Sequence, residues 1–172
     1  MRSKTQPSYH VRPIVPGDRE GLTAFYAGLS ADSREARFHG AAPGIGETTA
    51  RFFCGPDHEH REGIVAEIES AAGLREIVGH VCLEPITSDE VEMAIAVADA
   101  WQGQGLGRAM LAEAIRWAGR HGVARLRASM RIGNAAVMGL IRGTGRPIRL
   151  QTSDTGVVDA LIDIGDAVPT AA

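Results

Sequence analysis

The sequence predicts an α+β fold, a mixed and mostly antiparallel β-sheet flanked by helices, and three observations carry that prediction. The hydrophobic period switches near Gly63 from helical spacing to strand-like runs. Beyond Gly105 the helical period returns and is followed by another strand-like run, so residues 91 to 130 form one β–α–β unit. Turn residues recur often enough to cut the chain into short alternating elements, with no repeat and no low-complexity linker.

In chain order, "YHVRPI" is a first strand broken by Pro13 and Pro16. Asp18 then stands where it can cap a helix whose Leu22, Phe25, Tyr26 and Leu29 make one apolar stripe. "SADSREARFHG" is a second short helix or an ordered loop, and "GETTARFFCG" a third helical piece. "GIVAEIES" and "EIVGHVCLEP" form strands joined by a turn at Ala72 and Gly73, and "EVEMAIAVAD" follows through Pro85 to Asp89, which completes an antiparallel meander. After the loop "WQGQGLG", Leu106, Met110, Leu111, Ala114, Ile115 and Ala118 share one helix face. Arg108, Glu113, Arg116 and Arg120 occupy the other, and Gly122 is the stop. "VARLRASM" is a strand, Asn134 caps a short helix ended by Gly143 and Gly145, and "PIRLQTS" with "VVDALIDI" closes as a hairpin around Asp154, Thr155 and Gly156. The expectation is a single domain over residues 1–172, with a core from about 9 to 164.

Composition narrows the function. A net charge of -3 and dispersed basic residues supply no field for nucleic acid. The stretch "MAIAVADA" is too short to span a bilayer and "MRSKTQPSYH" lacks the apolar centre of a signal peptide, so no membrane partner and a cytoplasmic address are expected. Cys54 and Cys82 have neither metal nor redox-pair spacing. Cys54, His58 and His60 in "CGPDHEH" lack a second paired ligand cluster, so that segment is read as a polar loop and no metal is assigned.

The glycines of "WQGQGLGRAM" sit where a strand hands over to a helix. Unpaired N–H groups and the positive end of the helix dipole converge there, and glycine lets the loop wrap an anion closely. A Walker A loop needs a lysine, and the only lysine is Lys4. A dinucleotide fingerprint needs glycine at Arg108 and an acid about 20 residues on; no Asp or Glu lies between Glu113 and Asp154, which leaves open only an NADP-type site on Arg127 or Arg131. Gln102, Gly105 and Gly107 fit the pattern Gln/Arg-x-x-Gly-x-Gly/Ala, and in this they resemble the GNAT superfamily of acyl-CoA-dependent N-acyltransferases. The resemblance implies that Gln102, Gly103, Gln104, Gly105, Leu106, Gly107 and Arg108 hold the pyrophosphate of acetyl-CoA. It further implies that Val97 and Ala98 lie on the strand that pairs with pantetheine, and that Asn134 contacts the coenzyme. "RPIVPGDREGLTAFYAGLSADSREARFHG" together with "AVADAWQGQGLGRAMLAEAI" is similar to bacterial protein-lysine acetyltransferases, including those acting on acyl-CoA synthetases. In that subgroup an acid before the strand's apolar run is the base, which implies Glu92 here.

The chemistry explains the need for that acid. A lysine-type amine is almost wholly protonated at pH 7, a handicap of roughly 4 to 5 kcal/mol before it can attack a thioester. Glu92 would accept the proton while an N–H near Val97 polarises the carbonyl. The tyrosine that serves many GNAT enzymes as general acid is replaced at the matching position by Ile141, so no side-chain acid is assigned. Glu84, Asp89, Glu90 and Glu92 gather around one hairpin; they would draw a cationic amine to the base, and solvated turn charges account for them equally well. The arginines from Arg125 to Arg131 have two readings as well, contact with the coenzyme's 3'-phosphate or a wet sheet edge. The acceptor is expected to be an amine, a protein lysine ahead of a small molecule, with a non-catalytic acyl-CoA sensor as the rival class. The protein is expected to act as a monomer or homodimer.

Overall fold

The computed structural model describes residues 8–165 apart from Ala41, Ala71 and Asp154; Lys4 and the Asp154 of the closing turn lie outside the described residues. The strands are β1 (Tyr9–Pro13), β2 (Glu62–Glu69), β3 (Arg75–Pro85), β4 (Glu90–Val97), β5 (Arg125–Arg131), β6 (Ile148–Thr152) and β7 (Val157–Asp163). The helices are α1 (Arg19–Gly28), α2 (Ala31–Phe38), α3 (Glu47–Phe53), α4 (Leu106–Arg120) and α5 (Ala135–Arg142). All seven strands form one sheet in the order β1-β2-β3-β4-β5-β7-β6. Every neighbouring pair is antiparallel except β4 and β5, which α4 connects as the β–α–β unit.

One face of the sheet is covered by α4. Its Leu106, Met110, Leu111, Ala114 and Ala118 are buried as the helical period requires, Trp117 joins them, and Ile115 is only half-buried. The helix lies very close to β3: a Cβ on Gly79 would stand 2.6 Å from Sδ of Met110, so only glycine allows this approach. On the opposite face α1 sends Leu22, Phe25 and Tyr26 against Ile14, Val65 and Ala96. Each such fully buried side chain contributes about 1.5 to 3 kcal/mol through removal of apolar area from water. Tyr26 reaches through this layer to β3, where its hydroxyl is 2.9 Å from Nδ1 of the fully buried His80.

Two expectations are corrected. Asp18 stands at the start of α1, but its carboxylate does not cap that helix. It turns back to accept from the Val15 amide at 2.8 Å and to chelate Arg12, whose guanidinium offers stronger partners than a helix amide does. The arginines of β5 do not line a sheet edge, because β5 is an interior strand between β4 and β7; the chain passes from α5 to β6 and back through β7, which leaves β1 and β6 as the edges.

Candidate functional site

The site begins where β4 and β5 part. Their ladder covers only Glu90 to Glu92 against Arg125 to Arg127, yet β4 runs on to Val97 and β5 to Arg131. Beyond Glu92 the strands enclose a gap. The Ala98 amide bonds to the carbonyl of Val78 at 2.8 Å, so alternation along β4 directs the amides of Ala94 and Ala96 to β3 and those of Ile95 and Val97 into the gap.

The loop after β4 supplies the second component. Gly103 (φ +70°) and Gly105 (φ +88°) are left-handed, and a Cβ on either would meet nothing within 4 Å. They are glycine because of backbone conformation, and the space in front of them is open. The first helical bond of α4 runs from Ala109 to the carbonyl of Gly105. Among the described residues, the amides from Gly103 through Arg108 therefore have no protein acceptor. Converging unpaired amides at the positive end of a 15-residue helix make an anion cradle.

The loop is pinned from outside. Nε2 of Gln102 donates to the carbonyl of Val97 and to Oγ of Ser33, each at 3.1 Å. Asp99 accepts from the amide and hydroxyl of Ser30 and from the hydroxyl of Ser33, at 2.9, 2.7 and 2.7 Å. Those bonds, from the Ser30 amide first, hold the Asp99 carboxyl below the usual carboxylate range. Ser30 in turn caps α2, accepting from Ser33. The start of α2 and the anion cradle are thus one hydrogen-bonded unit.

Two clefts meet across this gap. One, of about 550 Å³, is lined by Ser33, Val97, Gln102, Gly105, Arg108 and Leu140. The other, of about 520 Å³, lies between α2, α3 and the sheet and is lined by Arg37, Phe53, Cys82, Glu84, Glu92 and Ser129. Ala36, Arg37, Ile95, Asn134 and Val137 belong to both.

Glu92 stands in the second cleft, exposed and without a hydrogen-bond or ion-pair partner among the described residues. Its acidic neighbours are engaged. Glu84, opposite it on β3, is chelated by Arg61 at 2.6 and 2.9 Å. Asp89 accepts from Arg125 at 2.8 Å, and the buried Glu90 accepts from Arg125 and Arg127 at 3.1 and 2.7 Å. The four acids predicted to draw in an amine therefore reduce to one free carboxylate.

The other predicted site residues divide. Gly103, Gly105, Gly107 and Arg108 line the first of these clefts. Asn134 lines both clefts, and its Oδ1 caps α5 by accepting from Val137 at 3.1 Å. Gln102 anchors the loop by its side chain, while its own amide points back to Asp99. Gln104 turns its amide side chain to the carbonyl of Ala100, and Leu106 is buried in the core, so these two offer the cleft only main-chain groups. Ala98 is not brought to the gap: its amide is taken by Val78 and its carbonyl by Trp101. Ile141 is fully buried. Of the loop residues weighed for a metal, Cys54 is buried, His58 pairs with Glu62 at 2.7 Å and His60 with Asp57 at 3.1 Å.

Sequence reasoning missed Arg37. Its Nη2 is 3.0 Å from Sγ of Cys82, and its guanidinium lies 5.0 and 5.6 Å from the centres of the Phe38 and Phe53 rings. Burial works against its charge, yet Cys82, Tyr26 and Glu92 together raise its pKa above the ordinary arginine value. Burial also raises the Cys82 thiol, which stays protonated and is no nucleophile at neutral pH. In the sequence Arg37 lies in "SADSREARFHG", a short helix or ordered loop in which no local pattern directs it to the sheet.

Residues 31–145 match the model of the acetyltransferase (GNAT) family, a span that contains the parting strands, the cradle and both clefts. The chain belongs to the GNAT acetyltransferase family. It is an acyl-CoA-dependent N-acetyltransferase, with acetyl-CoA as cosubstrate and an amine as acceptor. The free amides of the cradle and the open space before Gly103 and Gly105 fit a diphosphate. The acetyltransferase is similar to the GNAT domain of S. lividans PAT, with 25% identity, a TM-score of 0.80, and coverage of 95% of this chain and 99% of that one. The fold is also shared with yncA from Salmonella typhimurium, solved with acetyl-CoA (20% identity, TM-score 0.75, 95% and 99% coverage). A phosphinothricin acetyltransferase from Sinorhizobium meliloti in complex with AcCoA shares it too (18% identity, TM-score 0.73, 95% and 92% coverage). No curated protein matches the chain.

Proposed function

We propose that this acetyltransferase transfers an acetyl group to a lysine side chain of a folded protein, such as an acyl-CoA synthetase, by direct attack, with Glu92 as general base. The observation that carries the reading is the isolation of Glu92: it is the one carboxylate of its cluster without an arginine partner, and it lies where the strands part. Glu92 takes the ammonium proton. The amine then forms its N–C bond at the thioester carbonyl while the C–S bond breaks, and the amide of Val97 faces the oxygen that gains charge. The departing thiolate, an adequate leaving group, is protonated by solvent. Main-chain amides from Gly103 to Arg108 bind the diphosphate, Gln102 orders them, and Asn134 borders both substrates.

The similarity of "RPIVPGDREGLTAFYAGLSADSREARFHG" and "AVADAWQGQGLGRAMLAEAI" to bacterial protein-lysine acetyltransferases supports a protein acceptor. The second reading, a small amine, is favoured by the cleft of about 520 Å³, a volume typical of small-molecule sites. Under either reading we place the activity of this acetyltransferase domain in the cytoplasm.

Glu92→Gln tests the base. It is expected to bind acetyl-CoA with wild-type Kd and to lose roughly 10²- to 10⁴-fold in kcat; transfer at the wild-type rate would remove Glu92 from the mechanism. Incubation with acetyl-CoA and purified acyl-CoA synthetases, followed by mass-spectrometric mapping of acetyl-lysine, tests the acceptor against a panel of free amino acids and polyamines.

A further inference from the structure

We propose that Glu90, assisted by Asp159, is a positioning residue that holds the Arg127 guanidinium away from Glu92 and so leaves the base without a permanent counter-ion. The inference rests on the reading of Glu92 given above.

Glu92 and Arg127 are register partners on adjacent parallel strands, so their side chains leave the same face of the sheet about 5 Å apart. Opposite charges in that relation ordinarily pair. Here they do not. Arg127 bends toward the other end of β4, where Nε donates to Oε1 of Glu90 at 2.7 Å. Its Nη1 lies 3.4 Å from Oδ2 of Asp159, whose other oxygen accepts from Ser129 at 2.7 Å. Glu90 is 7% exposed, and its second oxygen accepts from Arg125 at 3.1 Å. A buried carboxylate held by two arginines is a far firmer partner than an exposed one, because exchanging it would leave Glu90 buried with a charge only half-compensated.

The remaining groups around Glu92 leave Arg127 as the deciding neighbour. On β3 it faces Glu84, already chelated by Arg61, and the Cys82 thiol. The α2 side contributes Arg37, turned onto Cys82, and His39. From α3 and α5 the lining is uncharged, through Thr49, Phe53 and Val137. The network that closes β4 onto β5 therefore also removes the cation in register with the base, while Arg37, the other cation near it, is held on Cys82.

The test reads Glu92 directly by ¹³C NMR titration of glutamate-labelled protein, with the signal assigned by its loss in E92Q, alongside the pH profile of kcat/KM. In E90Q, Arg127 is freed to pair with Glu92, and the Glu92 titration midpoint and the acid limb of kcat/KM are expected to fall together by about one pH unit or more, with a drop in kcat. D159N, at a less buried position, should give a smaller shift of the same sign and serves as the reading if E90Q does not fold. In E90Q/R127Q the midpoint should return toward the wild-type value, which general loosening of the strands would not produce. An unmoved midpoint in folded E90Q and D159N, or an equal shift in E90Q/R127Q, would overturn the proposal. A midpoint that moves while the acid limb stays fixed would uphold the positioning and instead remove Glu92 as the base.

Discussion

Replacing Gly105 by alanine isolates the backbone contribution to coenzyme binding. Gly105 has φ +88°, and a Cβ there would meet no atom within 4 Å, so the substitution introduces no clash with protein. Its cost is conformational, roughly 1 to 2 kcal/mol for an L-residue in the left-handed region. Gln102 still anchors the loop, but the Gly105 amide has no protein acceptor, so in the free enzyme φ at position 105 can relax toward negative values. Binding must then restore the left-handed turn, so the cost reappears in the acetyl-CoA Kd as an increase of about 5- to 30-fold, measured by isothermal titration. Gly119→Ala is the control. It lies within α4 with ordinary helical φ and open space at Cβ, so it should raise Tm by the usual helix-propensity gain and leave Kd alone. Should Gly103→Ala and Gly105→Ala both bind acetyl-CoA within twofold of wild type, the cradle would not be the diphosphate site.

Asp99→Ala should weaken acetyl-CoA binding although Asp99 lines neither cleft: losing the bonds to Ser30 and Ser33 unties α2 from the loop, at about 1 kcal/mol or roughly fivefold in Kd; lowered Tm with unchanged Kd would refute the link. His80 gives a pH dependence of stability. Burial lowers its pKa from 6.5 to about 3, so the folded state keeps it neutral while the unfolded chain takes up a proton below pH 6.5. Its contribution is intact above pH 6.5 and declines as pH falls toward 3, by roughly 2 to 3 kcal/mol at pH 4.5. Urea midpoints at pH 7 and 4.5 should therefore differ less in His80→Gln than in the wild type, and an equal difference would show that His80 is protonated in the fold.

The strands, the α4 stripe and the glycine-rich helix entrance are legible in the sequence because each follows from a local period or a local run of glycine. The meander from Gly63 to Val97 alternates as strands must, and Gln102, Gly105 and Gly107 mark a helix entrance by spacing alone. Lateral pairing is what the sequence conceals. Arg127 and Glu90 are 37 residues apart, and only the register of β4 against β5 brings them together. The arginines of β5 look like an exposed row because their alternation with Leu126, Ala128 and Met130 is that of any half-buried strand; the acids that meet Arg125 and Arg127 are Asp89, Glu90 of β4 and Asp159 of β7, and the one that meets Arg131 is Glu35 of α2. Asp18 and Arg12 present the same difficulty at shorter range. A helix-start aspartate reads as a cap until a guanidinium competes for it.

The site is the part of the molecule where hydrogen-bonding capacity is left unmet, and that property can be measured residue by residue. The β4–β5 ladder ends at Glu92 opposite Arg127, whereas the amides of Ile95 and Val97 face a gap and those from Gly103 to Arg108 face an open cradle. Ala94 and Ala96, interleaved with them on the same strand, bond to β3. Hydrogen exchange in the free enzyme should therefore be fast at 95 and 97 and slow at 94 and 96, an alternation that no difference in local mobility can generate. Saturating acetyl-CoA should slow exchange at Ile95, Val97 and the cradle amides while leaving Ala94 and Ala96 unchanged. Protection that appears in the cradle but not at Ile95 and Val97 would mean that the diphosphate is bound while the thioester arm lies outside the gap, and Val97 would lose its place beside the reacting carbonyl. Uniform protection along β4 before any ligand is added would mean that the strands do not part at Glu92, and with that the isolation of Glu92 from Arg127 would lose its structural basis.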